Sequence, residues 1–238
     1  GPPEQLAARR TAGDAEVEIL QDPPRLRGVG GTPPFGSPAF NGGKFAVQDP
    51  TPFRAVSTLE LAAGSRVLDL CAAPGTKSMV LAERLGDQGR VYAHDPDPER
   101  RVRIAVEAER LGMTERVHVL DVEDEPEDYA TYDAVLVDAP CSNTGVLARR
   151  VEVRHRIEPT EIQRLADIQK ELLFKALELV KPGGQVLYTT CSIEPEENQA
   201  VVQAGAEEWG AQVEREELVL PDPPHHDGGY FALLRAED

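Results

Sequence analysis

From Ser65 onward, short runs of apolar and β-branched residues alternate with longer stretches whose apolar residues recur at helical spacing. This alternation predicts βαβ units, and therefore an α/β fold built on a largely parallel sheet. Strands are predicted at residues 66–70, 90–94, 117–120, 134–137, 185–189 and, at an edge, 230–234. Helices are predicted to begin near Thr76, Asp97, Thr160 and Pro195.

Two of these helices carry start signals, and the residues before the first strand have a different character. Asp97 followed by proline is typical of an N-cap, and Thr160 with Gln163 has the spacing of a capping box. Residues 1–55 are rich in glycine and proline, with one short strand-like run at 17–20. We therefore expect an irregular N-terminal extension over residues 1–55, packed on a core domain over residues 56–238.

The charge balance limits the classes of partner. The chain carries 25 basic and 42 acidic residues, a formal net charge of −17. Phosphate binding needs concentrated lysine and arginine, so a surface that grips nucleic acid everywhere is excluded, whereas a local basic patch is permitted. No apolar run approaches the roughly 18 residues of a membrane span. A globular protein that is neither membrane-embedded nor obviously secreted is expected.

The three cysteines, Cys71, Cys141 and Cys191, form no CxxC pair and have no histidine cluster beside them. Neither a disulfide framework nor a metal site is expected, and a reducing cytoplasm suits such thiols. Apart from its backbone, Cys71 is interpreted as a small buried apolar residue.

Residues 67–78 run from an apolar strand through a tight loop of small residues into a helix start. Such a loop lets backbone N–H groups approach a ligand closely. It is not a Walker loop, because Thr76 rather than glycine precedes Lys77, and it does not have the glycine spacing of a GxGxxG fingerprint either. Asp95 ends the second predicted strand, where doubly wound folds place an acid that binds ribose hydroxyls. The alternative role for Asp95, a helix cap, suits Asp97 better.

Asp138 and Cys141 follow the strand predicted at 134–137, and Cys191 follows the strand predicted at 185–189. Open α/β sheets bind ligands at the carboxyl ends of their strands, so two thiols and one carboxylate are expected to converge there. Few reactions need a thiol beside an adenosyl cofactor. In one of them, a thiolate adds to carbon 6 of cytosine, and carbon 5 then takes a methyl group from S-adenosylmethionine. These residues leave open which cysteine attacks.

In combination, the motifs resemble the Sun (Fmu, or Nop/Sun) family of RNA 5-methylcytosine methyltransferases, from about residue 43 to the end. The motifs are LDLCAAPGTKS at 68–78, AHDPD at 93–97, DAPCSNTGVLARR at 138–150, TTCSIEPEEN at 189–198 and DGGYFALLR at 227–235. The resemblance implies a class I methyltransferase fold, Rossmann-like and doubly wound, with a mostly parallel seven-stranded sheet.

The resemblance also implies roles for single residues. Cys191 is implied as the nucleophile and Cys141 as the residue that helps to resolve the covalent adduct, whereas DNA cytosine methylases use the cysteine of the earlier loop. Asp138 is implied to face the polar edge of cytosine as a general acid with a raised pKa. The residues implied to hold S-adenosylmethionine are Cys71, Ala72, Ala73, Pro74, Gly75, Thr76, Lys77, Asp95, Asp121 and Asp138. For Asp121 the alternative is a solvated charge, and no metal is needed because a thiol supplies the activation.

A basic run directly follows the Cys141 loop. A charge run is usually a solvated face, but its attachment to this loop predicts phosphate contact. The residues predicted to contact RNA are Arg149, Arg150, Arg154 and Arg156, together with Lys44 and Gln48, which resemble a family segment beside the active site. The target base must be unstacked or single-stranded to present carbons 5 and 6. Thr76 and Asn143 stand where the family usually has glycine.

We expect a cytoplasmic, monomeric enzyme that methylates RNA. Residues 144–150 resemble the bacterial small-subunit branch, which favours 16S rRNA as the substrate and an assembling ribosomal subunit as the partner. A separate RNA-binding domain of the kind that many bacterial members carry is not recognised in residues 1–55. Two interpretations stay open: the sequence is the catalytic part of a longer protein, or it is a short member that depends on a ribosomal partner. Methylation of tRNA is one alternative. A non-catalytic RNA-binding scaffold is another, although a scaffold has no use for thiols beside a cofactor crevice, and a small-molecule methyltransferase would not need two of them.

Overall fold

The computed structural model describes residues 15–21, 24–31, 35–120, 131–155, 157–223 and 225–237. The chain divides into two compact units, one reaching to Val47 and including Arg110–Gly112, the other comprising Gln48–Glu109 and Met113–Asp238. The extension predicted over residues 1–55 stays a prediction. In the described part of the chain, no helix is both long and apolar enough to cross a membrane.

The first unit contains an antiparallel hairpin of β1 (Ala15–Gln21) and β2 (Pro24–Gly31), followed by the short helix α1 (Pro38–Asn41). The sequence predicted a strand only at 17–20, and the prediction of irregular chain was wrong for β2. Strand β2 contains one proline and three glycines, which do not favour strands, so the sequence did not predict it; its pairing with β1 supports it instead.

The second unit alternates strands and helices, as the sequence predicts. Its elements are α2 (Pro50–Val56), β3 (Arg66–Asp69), α3 (Thr76–Leu85), β4 (Arg90–Ala93), α4 (Pro98–Leu111, whose end belongs to the first unit), β5 (Val117–Val119), β6 (Tyr132–Asp138), α5 (Pro159–Leu179), β7 (Val180–Thr190), α6 (Gln199–Trp209), β8 (Gln212–Val219) and β9 (Gly229–Arg235).

Among the described residues, one sheet contains seven strands in the order β5-β4-β3-β6-β7-β9-β8. Strand β9 runs antiparallel to both of its neighbours, and the other recorded pairings are parallel. The mostly parallel seven-stranded sheet is therefore confirmed. The strand order reverses between β3 and β6, so the ligand crevice of a doubly wound fold falls at the carboxyl ends of these two strands.

The apolar runs that predicted the central strands form the core of the sheet. In β3, β6 and β7, side chains such as Leu68, Val135 and Val186 have no solvent exposure. Strands buried on both faces are continuous in apolar residues rather than alternating, which is why the sequence identifies them clearly. The rigid sheet fixes the strand ends from which the loops of the site extend.

Three local predictions were tested by the structure. Helix α4 begins at Pro98, and Asp97 Oδ1 accepts a hydrogen bond of 2.9 Å from Glu99 N, as predicted. The capping box at Thr160 was wrong, because α5 begins at Pro159 and has no side-chain cap. The helix predicted near Pro195 begins instead at Gln199, since the intervening residues form turns whose polar side chains hold neighbouring loops.

Strand β8 was absent from the predictions. Among the described residues it pairs only with β9, at the edge of the sheet, and most of its side chains are exposed. Without a buried face, its charged sequence shows no alternation that would mark it as a strand.

Candidate active site

The loops that contain Cys141 and Cys191 begin at the carboxyl ends of two neighbouring parallel strands, β6 and β7, which end level with each other. Asp138, the last residue of β6, pairs in register with Thr189 of β7, so Cys141 and Cys191 follow from adjacent strand ends. Their Sγ atoms are 2.9 Å apart. The structure thus brings together two thiols separated by 50 residues of chain, at the carboxyl edge of the sheet.

Asp138 joins the cysteine loops to the loop that follows β3. Its Oδ2 lies 2.5 Å from Lys77 Nζ, and its Oδ1 accepts a hydrogen bond of 2.8 Å from Thr189 Oγ1. Burial acts to lower the pKa of Lys77, but the adjacent Asp138 carboxylate outweighs it, so the pKa is raised above its ordinary value. The sequence assigned Lys77 only to cofactor binding, whereas the structure places its ammonium group at the thiol-bearing site as well.

Asn143 contacts both cysteine loops. It is the one residue other than glycine in the described chain with a positive φ, at 64°. Its Nδ2 donates a hydrogen bond of 2.7 Å to the carbonyl oxygen of Cys141, and its Oδ1 accepts one of 3.1 Å from Cys191 Sγ. The sequence marked Asn143 only as a departure from glycine, and its contact with a thiol was missed.

The two thiols differ in their surroundings. Cys141 is buried and Cys191 is half-buried. The hydrogen bond to Cys191 and burial together raise the pKa of Cys141 well above its ordinary value. Burial also raises the pKa of Cys71, which agrees with its interpretation as an inert apolar residue. The surroundings of Cys141 therefore make its thiol harder to deprotonate, and its thiolate form is disfavoured.

Glu197 is a fully buried carboxylate that ties the two cysteine loops together. It accepts hydrogen bonds from Ser142 N at 2.8 Å, Gln169 Nε2 at 2.9 Å and Ser192 Oγ at 2.5 Å, and a short one from Ser142 Oγ. Each serine follows one of the cysteines. Sequence reasoning missed Glu197, because in an acidic stretch nothing but burial separates it from its solvated neighbours.

Backbone contacts reinforce the same arrangement. Gly145 N donates to the carbonyl oxygen of Cys191 at 2.9 Å, and Gly145 O accepts from Gly228 N at 2.8 Å. A Cβ atom at Gly145 would lie 2.7 Å from the carbonyl carbon and oxygen of Gly228. Glycine is therefore required at position 145 for this close approach.

The loop between β3 and α3 has features expected of a loop that binds a ligand with a nucleoside portion. Gly75, at φ 106°, precedes α3, which has no side-chain cap, so its first N–H groups face a potential ligand. Asp95 is fully buried, and its carboxylate accepts hydrogen bonds from Ala73 N at 3.2 Å and Asp97 N at 3.1 Å. Asp95 therefore anchors this loop, and its contact with a ribose stays a prediction.

The predicted RNA contacts have different surroundings. Arg149 is exposed but forms ion pairs with Asp49 at 2.8 Å and Asp227 at 3.1 Å. Arg150, Arg154 and Lys44 are exposed, and Gln48 is half-buried, with no hydrogen-bond partner for its amide among the described residues. Asp121 and Arg156 lie outside the described residues. RNA binding by any of these side chains stays a prediction.

Asp69, at the end of β3, is a buried acid of this region. Its Oδ2 accepts a hydrogen bond of 2.6 Å from Ser78 Oγ, and its Oδ1 has no partner among the described residues. Burial, with a smaller contribution from the Asp138 carboxylate, raises the pKa of Asp69 to about 7, against an ordinary value of 3.8. The folded protein therefore holds a proton on Asp69 at pH values where the unfolded chain has lost it.

This difference in pKa predicts a pH dependence of stability. The contribution of Asp69 is complete below about pH 4 and is lost as the pH rises to about 7, by up to about 4 kcal/mol. Asp69→Asn should remove it, so the variant should gain stability relative to the wild type between pH 5 and pH 8, as measured by urea unfolding.

Asp133 provides the control of opposite sign. Partial burial acts to raise its pKa, but the Arg66 amide and the Lys181 ammonium group lower it overall. Asp133→Asn should therefore lose stability relative to the wild type as the pH rises from acid values. A pH-independent difference between Asp69→Asn and the wild type would contradict the raised pKa.

The strand order identifies the class of protein. A doubly wound sheet with an antiparallel strand inserted between its last two parallel strands is the arrangement of class I methyltransferases, which bind S-adenosylmethionine at the switch point. The uncapped helix start, the left-handed glycine and the buried acid at the end of β4 fit that cofactor. The chain therefore has the fold of the class I S-adenosylmethionine-dependent methyltransferases.

Comparison with known proteins gives the family. The family model described as 16S rRNA methyltransferase RsmB/F matches residues 56–223, and the chain belongs to that family. A relative from Klebsiella pneumoniae, ribosomal RNA small subunit methyltransferase B, is 35% identical over 242 residues, covering 97% of this chain and 56% of the relative. The chain thus spans about half the length of the curated relatives it matches.

Solved structures agree with this assignment. The crystal structure of a protein named PH0851 has a TM-score of 0.84 and 32% identity, covering 100% of this chain and 57% of that one. NSun6 from Pyrococcus horikoshii, solved with the S-adenosylmethionine analogue SFG, has a TM-score of 0.77 and 25% identity, covering 85% of this chain and 56% of that one. The family resemblance and the fold class predicted from the sequence are confirmed.

Proposed function

We propose that this chain transfers a methyl group from S-adenosylmethionine to carbon 5 of a cytosine in 16S rRNA, through a covalent adduct with Cys191. The observation that carries the proposal is the 2.9 Å approach of two thiols beside Asp138 and Lys77, at the switch point of a methyltransferase sheet. Methylation of oxygen or of an exocyclic nitrogen needs no thiol, whereas carbon 5 of cytosine is too weak a nucleophile to react without one.

The chain's own residues account for each step. The Cys191 thiolate forms a bond to carbon 6, and the displaced electron pair makes carbon 5 nucleophilic. By resemblance we assign Asp138 to the polar edge of the ring, and we assign to Lys77, whose Nζ lies 2.5 Å from Asp138 Oδ2, the proton that ring nitrogen 3 requires. S-Adenosylmethionine supplies an electrophilic methyl group.

Resolution of the adduct falls to Cys141. A base must remove the proton from carbon 5, after which the double bond re-forms, the sulfur–carbon bond breaks and its electron pair returns to Cys191. The Cys141 sulfur is 2.9 Å from the attacking sulfur, so its S–H can donate to the Cys191 sulfur as the sulfur–carbon bond breaks, while the carbon 5 proton passes to solvent as the base. Two thiols at this distance can therefore divide attack and release between them.

The remaining parts of the proposal concern partners. Exposed Arg150 and Arg154, directly after the Cys141 loop, are proposed to bind RNA phosphates, together with Lys44 and Gln48. Asp121 is assigned by resemblance to the adenine side of the cofactor, and Arg156 is assigned to RNA as part of the basic run that follows the Cys141 loop. We place the reaction in the cytoplasm, on 16S rRNA or an assembling small subunit, with the protein as a monomer.

The position of methylation is testable with RNA that carries tritium at carbon 5 of its cytosines. Transfer to carbon 5 expels that hydrogen, so tritium release should equal methyl incorporation for 16S rRNA, measured on free RNA and on isolated small subunits. Methyl incorporation without tritium release would place the methyl group elsewhere and contradict the proposal. Release from tRNA alone would favour the tRNA alternative, and cofactor binding with no transfer to any RNA would favour the scaffold.

A further inference from the structure

Arg149 forms ion pairs with two acids that lie far from it in the chain. Its Nη2 lies 2.8 Å from Asp49 Oδ2, and its Nε lies 3.1 Å from Asp227 Oδ1. The arginine side chain is 58% exposed, but those of Asp49 and Asp227 are only 9% and 16% exposed. Because a guanidinium group carries its donors in a rigid plane, it can bond both carboxylates at once, which a lysine ammonium group does less well. One exposed cation thus serves two largely buried anions.

The two carboxylates depend on this cation. The Asp227 amide donates to Asp49 Oδ2 at 3.3 Å, and the same oxygen accepts the bond from Arg149, so the two acids lie side by side. Burial and the Asp49 carboxylate raise the pKa of Asp227, and the opposing effects of Arg149 and His226 are smaller. Without the guanidinium group, the repulsion between the carboxylates would no longer be balanced, and the segments that carry them would be driven apart.

The two acids also lie on segments that contact each other through further hydrogen bonds. Asp49 Oδ1 accepts a bond of 3.0 Å from Thr51 N and so caps α2. Thr51 Oγ1 in turn donates to the Asp227 carbonyl oxygen at 2.8 Å. The start of α2 is therefore joined to the segment before β9 by backbone and side-chain bonds, and Arg149 completes this junction from a third segment.

The segment before β9 supports the reactive loops as well. Gly228 N donates to the carbonyl oxygen of Gly145 at 2.8 Å, and Gly145 N donates to the carbonyl oxygen of Cys191 at 2.9 Å. The loop after β6 is therefore fastened to the segment before β9 at two points, the backbone of Gly145 and the side chain of Arg149. A shift at the second point would be transmitted to the first, and from there to the backbone of the Cys191 loop.

We propose that Arg149 is a positioning residue for methyl transfer rather than a ligand of RNA phosphates. By neutralising the two acids, it keeps the loop after β6 where Gly145 supports Cys191. The sequence predicts a phosphate contact for Arg149, but a guanidinium group that turned to a phosphate would leave Asp49 and Asp227 without their cation. The inference rests on the proposed function in taking RNA as the substrate and Cys191 as the residue that attacks.

Steady-state kinetics on 16S rRNA separate the two roles. Arg149→Met removes the charge and keeps much of the apolar length of the side chain. Its kcat should fall about tenfold, while the KM for RNA and the slope of the log binding constant against log salt keep their wild-type values. Arg150→Met, at an exposed position proposed to bind phosphate, should raise the KM and reduce the size of that slope by about 1. A slope reduced by about 1 in Arg149→Met, with an unchanged kcat, would overturn the proposal.

Arg164→Met is the matched control. Arg164 is 58% exposed, as Arg149 is, but its partner Glu161 is itself 44% exposed. An exposed pair of this kind contributes little, so the kcat, the KM and the thermal midpoint of Arg164→Met should equal those of the wild type.

The double variant Arg149→Met/Asp227→Asn tests whether neutralisation is what Arg149 supplies. Asparagine removes the charge at position 227 and leaves the backbone bonds to Asp49 and Thr51 in place. With one carboxylate left, the repulsion is gone, and kcat should recover about fivefold over Arg149→Met. A lost phosphate contact would not be restored in this way, so a double variant no faster than Arg149→Met would contradict the positioning role.

Hydrogen exchange of the free protein keeps this inference separable from the proposed function. Peptides covering residues 142–150 and 225–230 should exchange about tenfold faster in Arg149→Met than in the wild type, and at the wild-type rate in Arg164→Met. If exchange is faster but no RNA releases tritium, the positioning by Arg149 is supported and the proposed function is wrong. If 16S rRNA is methylated, and both exchange and kcat in Arg149→Met match the wild type, the positioning is wrong and the proposed function stands.

Discussion

Cys191→Ala should lower methyl transfer to 16S rRNA by at least about a thousandfold, because without the thiolate carbon 5 of the cytosine never becomes nucleophilic. Cys141→Ala should behave differently. Its Cys191 still attacks and the methyl group still transfers, but the departing Cys191 sulfur lacks its S–H donor, so release slows and a covalent RNA–protein adduct should accumulate. Incubation with radiolabelled S-adenosylmethionine, followed by a denaturing gel, measures both effects.

The double variant Cys141→Ala/Cys191→Ala is the matched control, and it should form no adduct. The reverse pattern, with the adduct accumulating in Cys191→Ala and absent from Cys141→Ala, would assign attack to Cys141, as in the DNA cytosine methylases. Label entering RNA at the wild-type rate in both single variants would exclude thiol catalysis altogether.

Glu197→Ala should be the most destabilising single change at the site, lowering the free energy of unfolding by about 3–5 kcal/mol. The substitution removes a buried carboxylate and leaves the Ser142 amide, the Gln169 amide and the Ser192 hydroxyl without their acceptor. Because these donors lie on both cysteine loops, the thiols should also separate and methyl transfer should fall. Urea unfolding measures the first effect.

Two companion variants make the Glu197 result specific. Glu196→Ala, the exposed neighbour, should change the free energy of unfolding by no more than about 0.5 kcal/mol. Glu197→Gln keeps the shape and one acceptor oxygen, so its loss should be smaller than that of alanine. A loss below about 1 kcal/mol in Glu197→Ala would mean that the backbone contacts of Gly145 hold the loops unaided.

The parts of the fold that the sequence predicts well are those in which burial leaves a pattern. Strands β3, β6 and β7 each contain a run of buried apolar residues because both faces of the sheet are covered, and each of them ends at a loop that the sequence locates. The hairpin strand β2 and the edge strand β8 lack such a pattern. Pairing with a neighbouring strand defines them, and pairing is not visible in a local stretch of residues.

The reactive groups of the candidate site could be predicted from the sequence, but the residues that hold them in position could not. Cys141 and Cys191 have little structural use in polar loops, so their positions beside Asp138 at two adjacent strand ends suggest chemistry. Glu197 and Asn143 are ordinary surface residue types, and their importance comes from contacts across about 50 residues of chain. Residues that act through such distant contacts emerge only when the fold is known.

The in-register pairing of β6 with β7 makes the two cysteine loops geometrically equivalent. With their sulfurs 2.9 Å apart, a thiol on either loop addresses the same point in space. The position of the nucleophile in the chain can therefore migrate from one strand to its neighbour during evolution without moving the substrate or rebuilding the pocket. If the proposed function holds, a pair of adjacent strand ends of this kind gives two places from which a thiol can reach one base, and methyltransferases that share a sheet can place their reactive cysteine in either motif.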